Sequence, residues 1–150
     1  MNDFLGRNGL YLAWLVSIVA TAGSLYFSEI RQFTPCQLCW IQRIFMYPHI
    51  ILFGIASYHG DQRIARYSLP LAILGGLFAL YHVLEQNIAI LQEHSFCQAG
   101  VSCSGKYINW LGFISIPVLS LTAFTVITIL MLAVWKYSKI ESQQTGISEN

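Results

Sequence analysis

Charge is what this sequence has least of. Only 8 Lys and Arg and 7 Asp and Glu are spread over 150 residues, 10% in all, while 55% of the chain is hydrophobic and its mean hydropathy is +0.56. Soluble domains carry about 25% charged residues, so an ordinary water-soluble fold is excluded and the chain reads as an integral membrane protein. No block of five or more basic residues occurs, and the formal net charge is +1. There is thus no electrostatic footprint for nucleic acid. A repeat of fixed period is also missing, which sets solenoid architectures aside.

The few charges act as punctuation. A helix needs about 20 apolar residues to cross a hydrocarbon core, and four gaps between charges serve: Arg7 to Glu29, Arg43 to Asp61, Arg66 to Glu85 and Lys106 to Lys136. The second gap has 17 uncharged residues, so its helix is expected to begin upstream near Cys39 and to carry Arg43 at the interface, where the side chain can snorkel. Pro117 suits an early helical position. The expected fold class is an all-α integral membrane protein, a four-helix transmembrane bundle with spans at about 9–28, 40–58, 67–85 and 115–135. This places a single domain at 1–137, loops at 29–39 and 86–114 on one side, and a polar, disordered tail at 138–150.

Basic residues near span ends are retained in the cytoplasm. Arg7, Arg63, Arg66, Lys136 and Lys139 fall on one side, and Arg31, Arg43 and Lys106 on the other. The bias favours both termini in the cytoplasm and puts all four cysteines outside. A competing reading takes Ala20-Thr21-Ala22 as a signal-peptidase site, but the apolar run continues through Leu25, Tyr26 and Phe27 as a retained helix does.

Four thiols on an oxidising side are expected to pair or react. Two residues separate Cys36 from Cys39 in TPCQLCWIQR, and five separate Cys97 from Cys103 in CQAGVSC. A disulfide closing so short a loop adds little stability by constraining the unfolded chain. The CxxC spacing instead suits reversible chemistry, in which one thiolate expels whatever is bound to the other. With a helix starting near Cys39, its N-terminal N–H groups and Arg43 at i+4 both favour a thiolate. Arg43 also reads as a snorkelling anchor, or as a donor to the carbonyl oxygen of a lipid-soluble acceptor.

CQLCWIQR after a first span, with a second cysteine pair between the third and fourth, resembles the DsbB/BdbC family of membrane thiol-disulfide oxidoreductases in a short Gram-positive-like form. The resemblance covers nearly the whole chain. It implies a relay in the bacterial cytoplasmic membrane that reoxidises an extracytoplasmic thioredoxin-fold thiol oxidase (DsbA/BdbD-like) and passes electrons to a quinone, menaquinone or ubiquinone. It also implies catalytic roles for all four cysteines: Cys36 and Cys39 as the quinone-coupled pair, with Cys39 beside the ring, and Cys97 and Cys103 as the pair meeting the partner, Cys97 entering the mixed disulfide. Arg43 matches the quinone-proximal arginine. A partner of the DsbA type sits near roughly −120 mV, an oxidant that the quinone pool can drain and glutathione cannot.

Two readings from other classes compete. Four thiolates can hold a metal tetrahedrally, although the spacing C-x2-C plus C-x5-C and an oxidising compartment are unusual for such a site. Alternatively, the cysteines are inert staples in a structural or transport bundle. A relay running outward is a third option, because the cysteines alone do not set direction. His82, inside the third span, is read as a histidine hydrogen-bonded to a neighbour and left off the site. His49 is expected to satisfy carbonyls beside Pro48, Glu85 and Glu93 to face water, and Gly75-Gly76 with Ala72 and Ala79 to permit close helix packing.

Overall fold

In a computed structural model of the chain, the described residues are 2–32, 35–88 and 116–148. They form four long helices: α1 (Asn2–Leu25), extended by a π-helical turn at Tyr26–Ile30, α2 (Gln37–His59), α3 (Ile64–Asn87) and α4 (Ile116–Ser148). Each contains a stretch long and apolar enough to cross a membrane: Asn8–Ile30, Gln37–His59, Ile64–Asn87 and Ile116–Ile140. No strand occurs among the described residues.

Helices α1 and α3 each pack against both α2 and α4, closing a ring of four. Small residues set how near the helices come. Ala13, Ala65, Ala72 and Ala79 are fully buried beside Phe53, Phe124, Ile127, Met131 and Val134. At Gly75 the ring of Phe124 lies where a Cβ would stand, so a larger residue there forces α3 and α4 apart. Without a hydrophobic drive between helices in lipid, such close packing is what holds a bundle together. The outward faces complement it: Leu15, Val19, Ile44, Ile51, Leu77 and Ile129 are exposed, an apolar surface suited to acyl chains.

The α2–α3 connection is short because Gly60 takes the left-handed conformation (φ 66°) and donates its N–H to Ala56 O. Asp61 Oδ1 then accepts from the Arg63 N–H at 2.9 Å. Two prolines interrupt the ladder inside the membrane, Pro48 and Pro70. His49, fully buried and next to the first, bonds through Nδ1 to Phe45 O at 2.7 Å, one residue beyond the Ile44 carbonyl that Pro48 leaves without its N–H.

Two features depart from the sequence expectation. Helix α4 does not stop at its apolar run but continues through polar residues to Ser148. Glu85, expected to face water, is only 1% exposed, because it lies one turn beyond His82 on the inward face of α3.

Alternating helix directions gather the end of α1, the start of α2, the end of α3 and the start of α4 at one end of the bundle. Residues 89–115 join α3 to α4 from that end. Cys97, Cys103 and Glu93 fall among them and lie outside the described residues.

Candidate functional site

The site is built on the first turn of α2. Pro35 fixes its own backbone angle and precedes Cys36, whose extended conformation (φ −73°, ψ 170°) makes it the N-cap of α2. Its sulfur accepts the Cys39 N–H at 3.4 Å, the role a serine or aspartate oxygen plays in an ordinary cap. The helix therefore starts at Gln37, two residues before Cys39, and the favoured thiolate position at the helix end falls to Cys36 rather than Cys39.

Both cysteines are unbonded thiols with their sulfurs 3.1 Å apart. Either can donate to the other, but the surroundings choose. Cys36 Sγ also faces the Cys39 N–H and His82 Nε2, the latter at 3.7 Å, so it is the better acceptor. The hydrogen bond from Cys39, helped by the bond and charge of His82, pulls the Cys36 thiol down to about 4 against the opposing effect of burial. Cys36 stands just outside the span of α2.

His82 is held from behind. Gln42, one turn into α2, lies 3.1 Å from His82 Nδ1 through its side-chain amide, and both residues are buried, at 6% and 2% exposure. Whether the Gln42 amide donates to Nδ1 of the neutral ring or, through Oε1, accepts from Nδ1–H of the charged ring, Nε2 carries a proton toward Cys36. No local spacing announces this arrangement: Gln42 and His82 are 40 residues apart and meet only because α2 and α3 pack together. His82, from its place in an apolar run a histidine satisfied by a neighbour, is both hydrogen-bonded and in contact with the thiol pair.

Arg43 follows Cys39 by one turn and is also buried. Its Nε donates to Ser24 Oγ at 2.9 Å and its Nη2 to Ser24 O at 3.0 Å, tying α2 to α1. The guanidinium carbon also sits 5.3 Å from the Trp40 ring centre. These bonds use two of the five guanidinium N–H donors. On the other flank of α2, Leu38 and Ile41 join Leu74, Leu77, Phe78 and Tyr81 of α3 around an apolar groove of about 370 Å³.

Of the residues singled out from the sequence, the structure thus brings Cys36, Cys39 and Arg43 to one helix end and adds His82 and Gln42 to them. Chemically, this is a dithiol with one anionic sulfur, a proton-bearing imidazole against it, and a cation one turn deeper at the apolar boundary.

Known proteins with similar sequences agree in kind. The family described as Disulfide bond formation protein DsbB matches residues 6–134. Disulfide bond formation protein C of Bacillus subtilis (strain 168) is 52% identical over 122 residues, covering 81% of this chain and 88% of the relative. Probable disulfide formation protein C 1 of Bacillus cereus (strain ATCC 10987 / NRS 248) is 50% identical over 127 residues, with 85% and 91% covered. A probable disulfide formation protein of Deinococcus radiodurans is 47% identical over 131 residues, with 81% and 85% covered. No solved structure matches.

Proposed function

Because the chain belongs to the DsbB family of disulfide bond formation proteins, we propose that its thiol-disulfide oxidoreductase activity runs as a two-pair relay that drains electrons from an extracytoplasmic thioredoxin-fold thiol oxidase into a membrane quinone. The observation that carries this reading is the polarised pair at the head of α2. Cys36 is the anionic sulfur, lies 3.1 Å from Cys39, and sits at the apolar edge of a four-span bundle.

The partner's dithiol reduces the Cys97–Cys103 disulfide, with Cys97 carrying the mixed disulfide and Cys103 resolving it. One thiolate of that loop then attacks the Cys36–Cys39 disulfide, and the second closes the loop disulfide again, leaving the α2 pair as a dithiol. Each exchange breaks one S–S bond and forms one, so two electrons move inward per cycle. In the last step Cys36 closes on Cys39, and two electrons leave the pair along with the thiol proton. His82, against Cys36, holds a proton at Nε2 while the sulfur is anionic, and Gln42 keeps the ring turned toward it.

The residues present fit a quinone as the acceptor. Cys39 is the less buried residue of the pair, and Arg43 one turn inward keeps N–H donors beyond those spent on Ser24 for a carbonyl oxygen. When bound, a quinone supplies a two-electron, two-proton sink. Menaquinone and ubiquinone both offer that chemistry. The bacterial cytoplasmic membrane, with both termini inside and the cysteines outside, is the location that gives the relay its oxidising partner.

The test is turnover: purified chain, a reduced thioredoxin-fold thiol oxidase and a short-chain quinone, followed by quinol formation. The relay predicts continuous reduction that stops with Cys39→Ser. Turnover no higher than that of a chain with all four cysteines replaced by serine would sink it.

A further inference from the structure

Cys36, Cys39 and His82 present two sulfurs and a ring nitrogen all within 4.8 Å of one another. We propose that the dithiol form of this triangle is a three-ligand site for a thiophilic divalent cation of the Zn²⁺ class, and that occupancy locks the pair in its reduced form. The proposal rests on the reading that the pair passes through a dithiol state, since a disulfide offers no thiolate ligands.

The distances suit the ion. With Zn–S near 2.3 Å and Zn–N near 2.0–2.1 Å, tetrahedral geometry places the sulfurs about 3.8 Å apart and a sulfur and nitrogen about 3.6 Å apart. The observed separations are 3.1 Å for the sulfurs and 3.7 Å from Cys36 Sγ to His82 Nε2. To reach that geometry the sulfurs part by about 0.7 Å, and Cys39 is the less buried residue of the two.

An outer partner for the histidine is already in place. Ligating histidines are oriented by a hydrogen bond at their second nitrogen, and Gln42 supplies one to Nδ1. Its amide carries a donor at one end and an acceptor at the other, so a half-turn lets Oε1 accept from Nδ1–H and frees the Nε2 lone pair for the metal. Two thiolates and a divalent ion are neutral together, which suits a site whose other members are buried. Three protein ligands leave the fourth position for water or an incoming ligand.

Binding forms two S–metal bonds and one N–metal bond and releases the protons still held by the thiols. No electron moves. With both sulfurs committed to the metal, Cys36 cannot attack Cys39, so the cation competes directly with disulfide closure. Neither Cys97 nor Cys103 is required, which separates this site from a four-thiolate metal centre.

The experiment uses the full chain with Cys97→Ser and Cys103→Ser, reduced and metal-free in detergent, titrated with Co²⁺ as a spectroscopic probe and then with Zn²⁺. One Co²⁺ per chain is expected, with thiolate-to-cobalt charge transfer and tetrahedral ligand-field bands that Zn²⁺ abolishes. Gln42→Ala should weaken binding about 10–100-fold, and His82→Ala at least as much. If His82→Ala does not fold, zinc-edge X-ray absorption of the parent protein reads the shell directly, with two sulfurs and one nitrogen expected. No saturable binding, affinity unchanged in a folded His82→Ala, or a shell without nitrogen overturns the proposal. Quinone oxidation of the same metal-free sample is scored separately. Metal binding without quinone oxidation removes the relay and keeps the site, and the reverse outcome removes the site alone.

Discussion

His82 Nε2 lies 3.7 Å from the sulfur of Cys36, although the two residues belong to different helices and are 46 residues apart. The contact reinforces the polarity that the hydrogen bond from Cys39 gives the CxxC pair. The N-cap position, the Cys39 thiol and the imidazole all favour negative charge on the same sulfur, with the Cys39 thiol as its hydrogen-bond donor.

This polarity predicts an unusual pH profile. With the Cys36 thiol pulled down to about 4 by the hydrogen bond from Cys39 and by His82, the thiolate is present above that value and lost as pH falls through it. Alkylation of Cys36 in the reduced chain, read by mass spectrometry, should be nearly flat from mildly acidic to neutral pH. An ordinary thiol near 8.5 gains about tenfold per pH unit over that range. A tenfold rise per unit at Cys36 contradicts the assignment of the anionic sulfur.

His82→Ala removes a hydrogen-bond donor and a favourable charge from Cys36, so the onset of Cys36 alkylation should move to higher pH. His82→Gln keeps a donor without the charge and should recover part of the shift. If neither variant moves the onset, the imidazole only packs against the sulfur.

Some of this site was legible in the sequence and some was not, for physical reasons. Charge gaps mark the membrane spans because charges are costly in hydrocarbon, and a CxxC with arginine four residues on places Cys39 and Arg43 on one helical face by geometry alone. His82 and Gln42 were invisible because their relation is tertiary: a lone histidine in an apolar run has the same local pattern whether it serves the core or a site. Glu85 stands at the flank of an apolar run, which predicts exposure, but the inward face of α3 continues through it. The helix start also mattered at the scale of single residues, since moving it from Cys39 to Gln37 transfers the capping role to Cys36.

Ser24→Ala should loosen Arg43 without removing it. The lost hydrogen bond to a charged group costs about 1.5–3 kcal/mol, measured as reduced resistance to denaturation in detergent. If Arg43 positions the acceptor, the variant should raise KM for quinone severalfold while single-turnover thiol exchange with the partner is unchanged. Equal loss in both assays points to a structural role for Arg43.

At the helix interface, Gly75→Val inserts a side chain into the space held by Phe124. Overpacking of this kind costs about 1–3 kcal/mol. Phe124→Leu, destabilising alone, should offset part of that loss in the double variant, giving a coupling energy that a thermal-shift series can resolve. Strictly additive effects contradict the close α3–α4 contact.

If the Cys36–Cys39 pair itself delivers electrons to the quinone, a single-turnover experiment isolates that step. A fully reduced chain carrying Cys97→Ser and Cys103→Ser, so that only Cys36 and Cys39 remain, is mixed with excess short-chain quinone, and both quinol and free thiols are counted. One quinol formed and both thiols lost per chain is the expected result. No thiol loss in this chain, together with quinol formation in the converse chain that keeps only Cys97 and Cys103, would contradict it.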